Sequence, residues 1–79
     1  MSVTLYSTQG CHLCEQAFAL LAQLAIEPQV IDIAFDDDLF LRYGVTIPVV
    51  QVGDVELNWP FNLQQLQLWL DNNGITYHS

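Results

Sequence analysis

The spacing of apolar positions changes several times along this chain, and each change marks an element. Val3-Thr4-Leu5-Tyr6 is a short β-leaning run that stops at the loop residues Ser7-Thr8-Gln9-Gly10. From Cys11 to about Ala25 the period becomes helical. Leu13, Ala17, Leu20, Leu21 and Leu24 form one stripe, while His12, Gln16 and Gln23 fall on another side. Glu27-Pro28 is expected to close this helix, because the residue before a proline is pushed out of the α region. Gln29 to Ile33, with Val30, Ile31 and Ile33, reads as a second strand. Strand, helix and strand in this order predict a right-handed parallel βαβ unit.

The second half is punctuated more densely. Asp36-Asp37-Asp38 opens a short helix through Tyr43, with Gly44 just past its end. Val49 to Val52 follows Ile47-Pro48 as a third strand, and Gly53-Asp54 turns the chain into Val55-Glu56-Leu57. After a break at Trp59-Pro60-Phe61, Asn62 caps a last helix, with Gln65 at the reciprocal capping-box position. Leu63, Leu66, Trp69 and Leu70 supply its buried stripe and Asn73-Gly74 its end. Tyr77, His78 and Ser79 are expected as a loose end. The order β-α-β-α-β-β-α predicts an α/β fold: a four-stranded mixed sheet flanked by helices, with an antiparallel hairpin last. Residues 1–79 read as a single domain, since no repeat, linker or low-complexity segment divides them.

Composition narrows the function. A hydrophobic content of 52% supports a core without external staples, so the two cysteines need another reason to exist. A bridge across so short a loop removes little unfolded-state entropy. Nine acidic residues against the single base Arg42 give a formal charge of -8. That balance excludes nucleic acid and disfavours anionic membranes, and it would suit a basic protein partner. No apolar run approaches ~18 residues, and no basic-then-apolar leader opens the chain. The expectation is a cytoplasmic, monomeric protein whose paired thiols are catalytic, redox-sensing or metal-binding.

Cys11-His12-Leu13-Cys14 falls directly after the first strand, at the start of the first helix. Residues three apart on a helix share a face with Cβ atoms about 5–6 Å apart, so a small adjustment brings two sulfurs to bonding distance. Unpaired N–H groups and the positive end of the helix dipole point at Cys11 and favour its thiolate. Cys14, one turn inside, is better shielded. Cys11 is thus the expected attacking sulfur and Cys14 the resolving one. Zinc uses the same spacing but takes four ligands, and only His12 and His78 accompany the cysteines. His12, in the tight turn between them, can hardly converge on the same ion, and the side chains of Asp36-Asp37-Asp38 diverge. No metal is expected.

Several residues near the dithiol carry two readings. Pro48 marks the start of a strand, or, as a cis proline beside the dithiol, offers the thiolate no N–H and exposes the Ile47 backbone to an extended substrate. His12, when protonated, would stabilise the Cys11 thiolate, or it is simply solvated. Glu15 opposes that thiolate, or serves as a favourable first-turn acid. Trp59 and Phe61 rim a substrate surface, or pack in the core.

The run Leu5-Tyr6-Ser7-Thr8-Gln9-Gly10-Cys11-His12-Leu13-Cys14 resembles the first strand and active-site loop of glutaredoxins. Arg42-Tyr43-Gly44-Val45-Thr46-Ile47-Pro48 is similar to the run before the cis proline in thioredoxins, with a Thr-hydrophobic-Pro ending closer to glutaredoxins. Together with Trp59-Pro60-Phe61 near the last helix, these motifs make nearly the whole chain look like a short glutaredoxin-like branch of the thioredoxin-fold superfamily. The resemblance implies a thioredoxin fold, a cis Pro48, Cys11 as nucleophile and Cys14 as resolver. The implied activity is thiol–disulfide oxidoreduction on protein or small-molecule disulfides, with His12, Ile47, Pro48 and Trp59 as substrate-binding residues.

One part of the family pattern is missing. Glutaredoxins hold glutathione with a basic residue just before the first cysteine and a glycine-rich, acidic turn before the last helix. Here Gln9-Gly10 precedes Cys11, and Leu57-Asn58-Trp59-Pro60-Phe61 replaces the turn, with Pro60 removing a backbone donor. Arg42 contacts one carboxylate or is a solvated helix-face residue. No cofactor is expected beyond the two cysteines. The resemblance would bring glutathione as reductant or co-substrate, but the missing contacts and the charge of -8 argue against its binding. The alternative to an enzyme is a redox-inert thioredoxin-fold module for protein–protein contact. A third reading, a dimer sharing an iron–sulfur cluster through Cys11, needs glutathione as the remaining ligand.

Overall fold

A computed structural model describes residues 3–75, so Tyr77, His78 and Ser79 lie outside the described residues. The chain runs β1 (Thr4–Ser7), α1 (His12–Gln23), β2 (Gln29–Asp32), a 3₁₀ turn (Ile33–Phe35), α2 (Asp37–Tyr43), β3 (Val49–Val52), β4 (Val55–Asn58) and α3 (Leu63–Asn72). The strands form one mixed sheet in the order β2-β1-β3-β4. β1 runs parallel to β2 and antiparallel to β3, which turns through Gly53-Asp54 into β4 with Val52 paired to Val55.

Alternation along the two central strands supplies two cores. Val3, Leu5, Val50 and Val52 meet Ala17, Leu21 and Leu24 of α1 and Leu66 and Leu70 of α3 on one face. Tyr6 and Val49 point the other way and meet Ile33 and Tyr43. Period-two patterning on β1 and β3 therefore does not produce a polar face, because both faces are covered. Burying one such Leu stabilises the fold by about 1.5–3 kcal/mol, which is how a chain this short folds on its core alone.

The helix ends correct the sequence expectations in detail. α1 stops at Gln23, two residues before the end expected near Ala25. Ala25 adopts φ +57°, its N–H donates to Ala22 O, and the Ile26 N–H reaches back to Leu21 O. This is a Schellman closure with alanine where glycine is usual. α3 ends in the same closure, but with Gly74 at the left-handed position. The predicted Asn62–Gln65 capping box is present in both directions. Leu13 leaves the α1 stripe and is exposed, and Ile33 leaves the strand for the 3₁₀ turn, which Asp32 caps through Ala34 N–H at 2.9 Å. Asp36 caps α2 in the same manner, accepting from Asp38 and Leu39 N–H. Gly44 has a right-handed φ of -56°, yet a Cβ there would sit 2.5 Å from Phe40 O, so glycine is needed for close approach. Among the described residues, no helix is long and apolar enough to cross a membrane.

Candidate functional site

β1 ends at Ser7, and the loop through Gly10 delivers Cys11 to the N-cap of α1. Cys11 and Cys14 are joined as a disulfide, with Cα atoms 5.2 Å apart. The Cys11 Sγ also takes the capping role that an oxygen usually fills, accepting the Cys14 N–H at 3.2 Å. The two sulfurs are not equivalent. Cys11 is half-buried at the helix start, whereas Cys14, on the core side of the first turn, is 4% exposed. Reduction of the bond would leave an accessible sulfur at the positive end of the helix dipole and a shielded partner beside it.

His12 and Glu15 project away from the core, with side chains 83% and 76% exposed and His12 Nδ1 3.7 Å from Glu15 Oε2. So exposed a pair adds little to stability. Its weight is electrostatic, since a carboxylate stands on the same turn as the disulfide.

An open groove of about 330 Å³ lies directly against the disulfide. Besides the two cysteines it is lined by Leu5, the Ser7–Gly10 loop, Glu15, Phe18 and Val30. Phe18 and Val30 are 46% and 49% exposed, so part of the lining is apolar and reachable. All of these residues come from β1, its loop, α1 and β2. The groove therefore belongs to the β2 flank of the disulfide.

Ile47, Pro48 and Trp59 stand on the other flank. Continuing the β1–β3 register past Tyr6↔Val49 sets Pro48 beside Ser7, at the dithiol end of the sheet. The Ile47-Pro48 bond is cis, as is Trp59-Pro60. Of the two Ile47 backbone groups expected to face a substrate, the N–H is not free: it donates to Tyr43 O at 3.1 Å. The Pro48 ring is fully buried, and its carbonyl accepts the Trp59 N–H at 3.1 Å. Trp59 is half-buried, edge-on to Phe61 at 5.0 Å.

A polar cluster that the sequence reading missed sits under this flank, on the α2 face. Tyr6 and Tyr43 stack with ring centroids 4.4 Å apart. The Tyr6 hydroxyl donates to Gln51 Oε1 at 2.6 Å, and the Tyr43 hydroxyl donates to Glu56 Oε2. Burial, with the Glu56 carboxylate beside it, pushes the Tyr43 hydroxyl up to about 12. The signal was present: Gln51 and Glu56 are cross-strand partners, and Gln51 points to the face that Val49 covers. Arg42 stands over the Tyr43 ring at 5.3 Å and does not line the groove. Among the described residues, no three His, Cys, Asp or Glu side chains group to hold a metal.

A mixed sheet in this order, with a C-x-x-C disulfide capping the helix after β1, defines a protein of the thioredoxin fold. The model of the family described as Glutaredoxin-like domain (DUF836) matches residues 2–71, and the chain belongs to that family. It is similar to the X-ray structure of structural genomics target protein XcR50 from X. campestris, with 40% identity and a TM-score of 0.84 over 90% of this chain and 97% of that one. A glutaredoxin from Brucella melitensis shares 29% identity at a TM-score of 0.64, covering 94% of this chain and 82% of that one. Thioredoxin 1 from Thermosipho africanus, at 16% identity and a TM-score of 0.56 over 94% and 99% of the two chains, supports the fold alone. No curated protein matches the chain by sequence.

Proposed function

We propose that this protein is a thiol–disulfide oxidoreductase whose working group is the Cys11–Cys14 pair. The observation that carries this reading is the asymmetry of the pair: a half-exposed sulfur at the helix N-cap, bonded to a buried one a turn inside. In the reduced protein, the Cys11 thiolate attacks one sulfur of a disulfide R–S–S–R, forming Cys11–S–S–R and expelling RS⁻. Cys14 then gives up its proton, attacks the Cys11 sulfur and closes the intramolecular disulfide, expelling the second RS⁻. Two electrons pass from the dithiol to the substrate, and the two cysteine protons end on the two thiols released. An external dithiol reverses the sequence and restores the protein.

The reading needs no cofactor beyond the cysteines. It suits a reducing compartment such as the cytosol, where disulfides of this kind are transient and catalytic. Its test is a pair of variants. Cys14→Ser should accumulate a mixed disulfide on Cys11, and Cys11→Ser should abolish exchange. Full activity in both variants would sink the assignment. A second reading is favoured by one feature: Phe35, Phe40, Leu41 and Val45, before, on and after the acid-led helix α2, are exposed, as a docking face for a basic partner would be. On that reading the dithiol is idle, and exchange by the unmodified protein would be no faster than by a free thiol.

A further inference from the structure

Access to Cys11 runs through the groove on the β2 flank, and the charge around it is one-sided. The parallel register pairs Ser7 with Asp32, so the strand ends leading to the Cys11 loop and to the Asp36–Asp38 turn point the same way. Glu15, Asp32, Asp36, Asp37 and Asp38, five of the nine acidic residues, thus gather at the dithiol end of the sheet. Glu27, Asp54 and Asp71 lie before β2, in the β3–β4 turn and at the end of α3, all at the opposite end, while Glu56 accepts the Tyr43 hydroxyl. The single strong base, Arg42, is turned over Tyr43. Leu5, Phe18 and Val30 give the groove apolar surface beside the sulfurs, and Glu15 lines it too, its carboxylate 3.7 Å from His12 Nδ1.

We infer that this groove selects low-molecular-weight disulfides with a cationic amine a short apolar spacer from the sulfur, and rejects anionic ones such as glutathione disulfide. The inference rests on the oxidoreductase reading and names the substrate class of the same site. The amine faces Glu15 and the acidic sheet end, while the spacer covers Phe18 and Val30. An approaching cation also offsets the carboxylate that opposes the Cys11 thiolate. The reaction is the two-electron exchange given above, with the aminothiol as both leaving groups. An open groove of about 330 Å³ is at the small end of ligand sites, which suits a molecule of this size.

The test uses three symmetrical disulfides: cystamine, bis(2-hydroxyethyl) disulfide and dithiodiglycolate. Each is reacted with the reduced full chain at low ionic strength, and each rate is divided by that of 2-mercaptoethanol with the same disulfide. The division removes the intrinsic leaving-group difference. The corrected rates should fall in the order cation, neutral, anion, with cystamine ahead of dithiodiglycolate by about tenfold, a ratio that shrinks several-fold at high salt. Glu15→Gln should cut that ratio by about half or more, and Asp71→Asn, which removes the same charge at the far end, should leave it unchanged. Equal corrected rates, or a faster anion, would overturn the selectivity while the neutral disulfide still reports a working dithiol. So would a cationic preference untouched by Glu15→Gln. No reaction with any of the three would overturn the oxidoreductase reading and the inference together.

Discussion

The two flanks of the disulfide are built differently. On the β3 flank several groups beside the dithiol are engaged within the protein: the Ile47 N–H on Tyr43, the Pro48 carbonyl on Trp59, the Pro48 ring in the core. On the β2 flank, an open groove reaches the sulfurs between Phe18, Val30 and the Ser7–Gly10 loop. The difference teaches that shared motifs can hold a site together on one side while access lies on the other. On the proposed function, Ile47, Pro48 and Trp59 would brace the end of the sheet and the groove would receive the substrate.

The largest effect expected is loss of exchange in Cys11→Ser, measured as the rate of disulfide reduction, with Cys14→Ser halting at a mixed disulfide seen as an added mass. Next comes Trp59→Ala. If the β3 flank is a brace, this variant should lose about 2–3 kcal/mol of stability in denaturant titration and keep its exchange rate with small disulfides. A large rate loss with little loss of stability would return Trp59 to the substrate surface.

Under the same flank, the Tyr43 proton gives a pH signature. The hydroxyl titrates near 10 when unfolded and at about 12 when folded, so the folded state binds more protons between those values. This contribution is fully present below pH 10 and is lost as pH rises towards 12. Tyr43→Phe should flatten that alkaline loss in a stability–pH series; an unchanged slope would break the assignment. Phe18→Ala reverses the pattern of Trp59. Its exposed ring should cost under about 0.5 kcal/mol of stability, while exchange with small disulfides slows a few-fold. The smallest effect lies far from both flanks. Ala25→Gly relieves a left-handed alanine and should raise stability by about 0.5–1 kcal/mol, leaving the rate of exchange unchanged.

Most of the fold was legible because its signals are local. The helical stripe of α1, the Asn62–Gln65 capping box, the Gly53-Asp54 turn and the run Val49–Val52 each act within a few residues, and each appears as expected except that Leu13 drops out of the stripe. The α1 end falls two residues before Ala25, because Pro28 forbids helix at Glu27 without saying how much earlier it stops; Ala25 and Ile26 decide that through bonds to Ala22 and Leu21. The dithiol was legible for the same local reason, since one turn of helix joins Cys11 to Cys14. The groove was not, because Val30 and Phe18 meet only when β2 pairs with β1 beneath α1. The tyrosine cluster was equally hidden. Tyr6, Tyr43, Gln51 and Glu56 come from four elements, and only the sheet order brings them into contact.

The most direct test of the central claim is intact-mass analysis after alkylation, with the protein equilibrated against dithiol/disulfide buffers of graded redox poise. The account predicts a reversible two-electron transition, a loss of two hydrogens localised to Cys11 and Cys14, midway through the accessible range. Cysteines that stay free, or stay joined, at every poise would contradict it and leave the dithiol without a redox role.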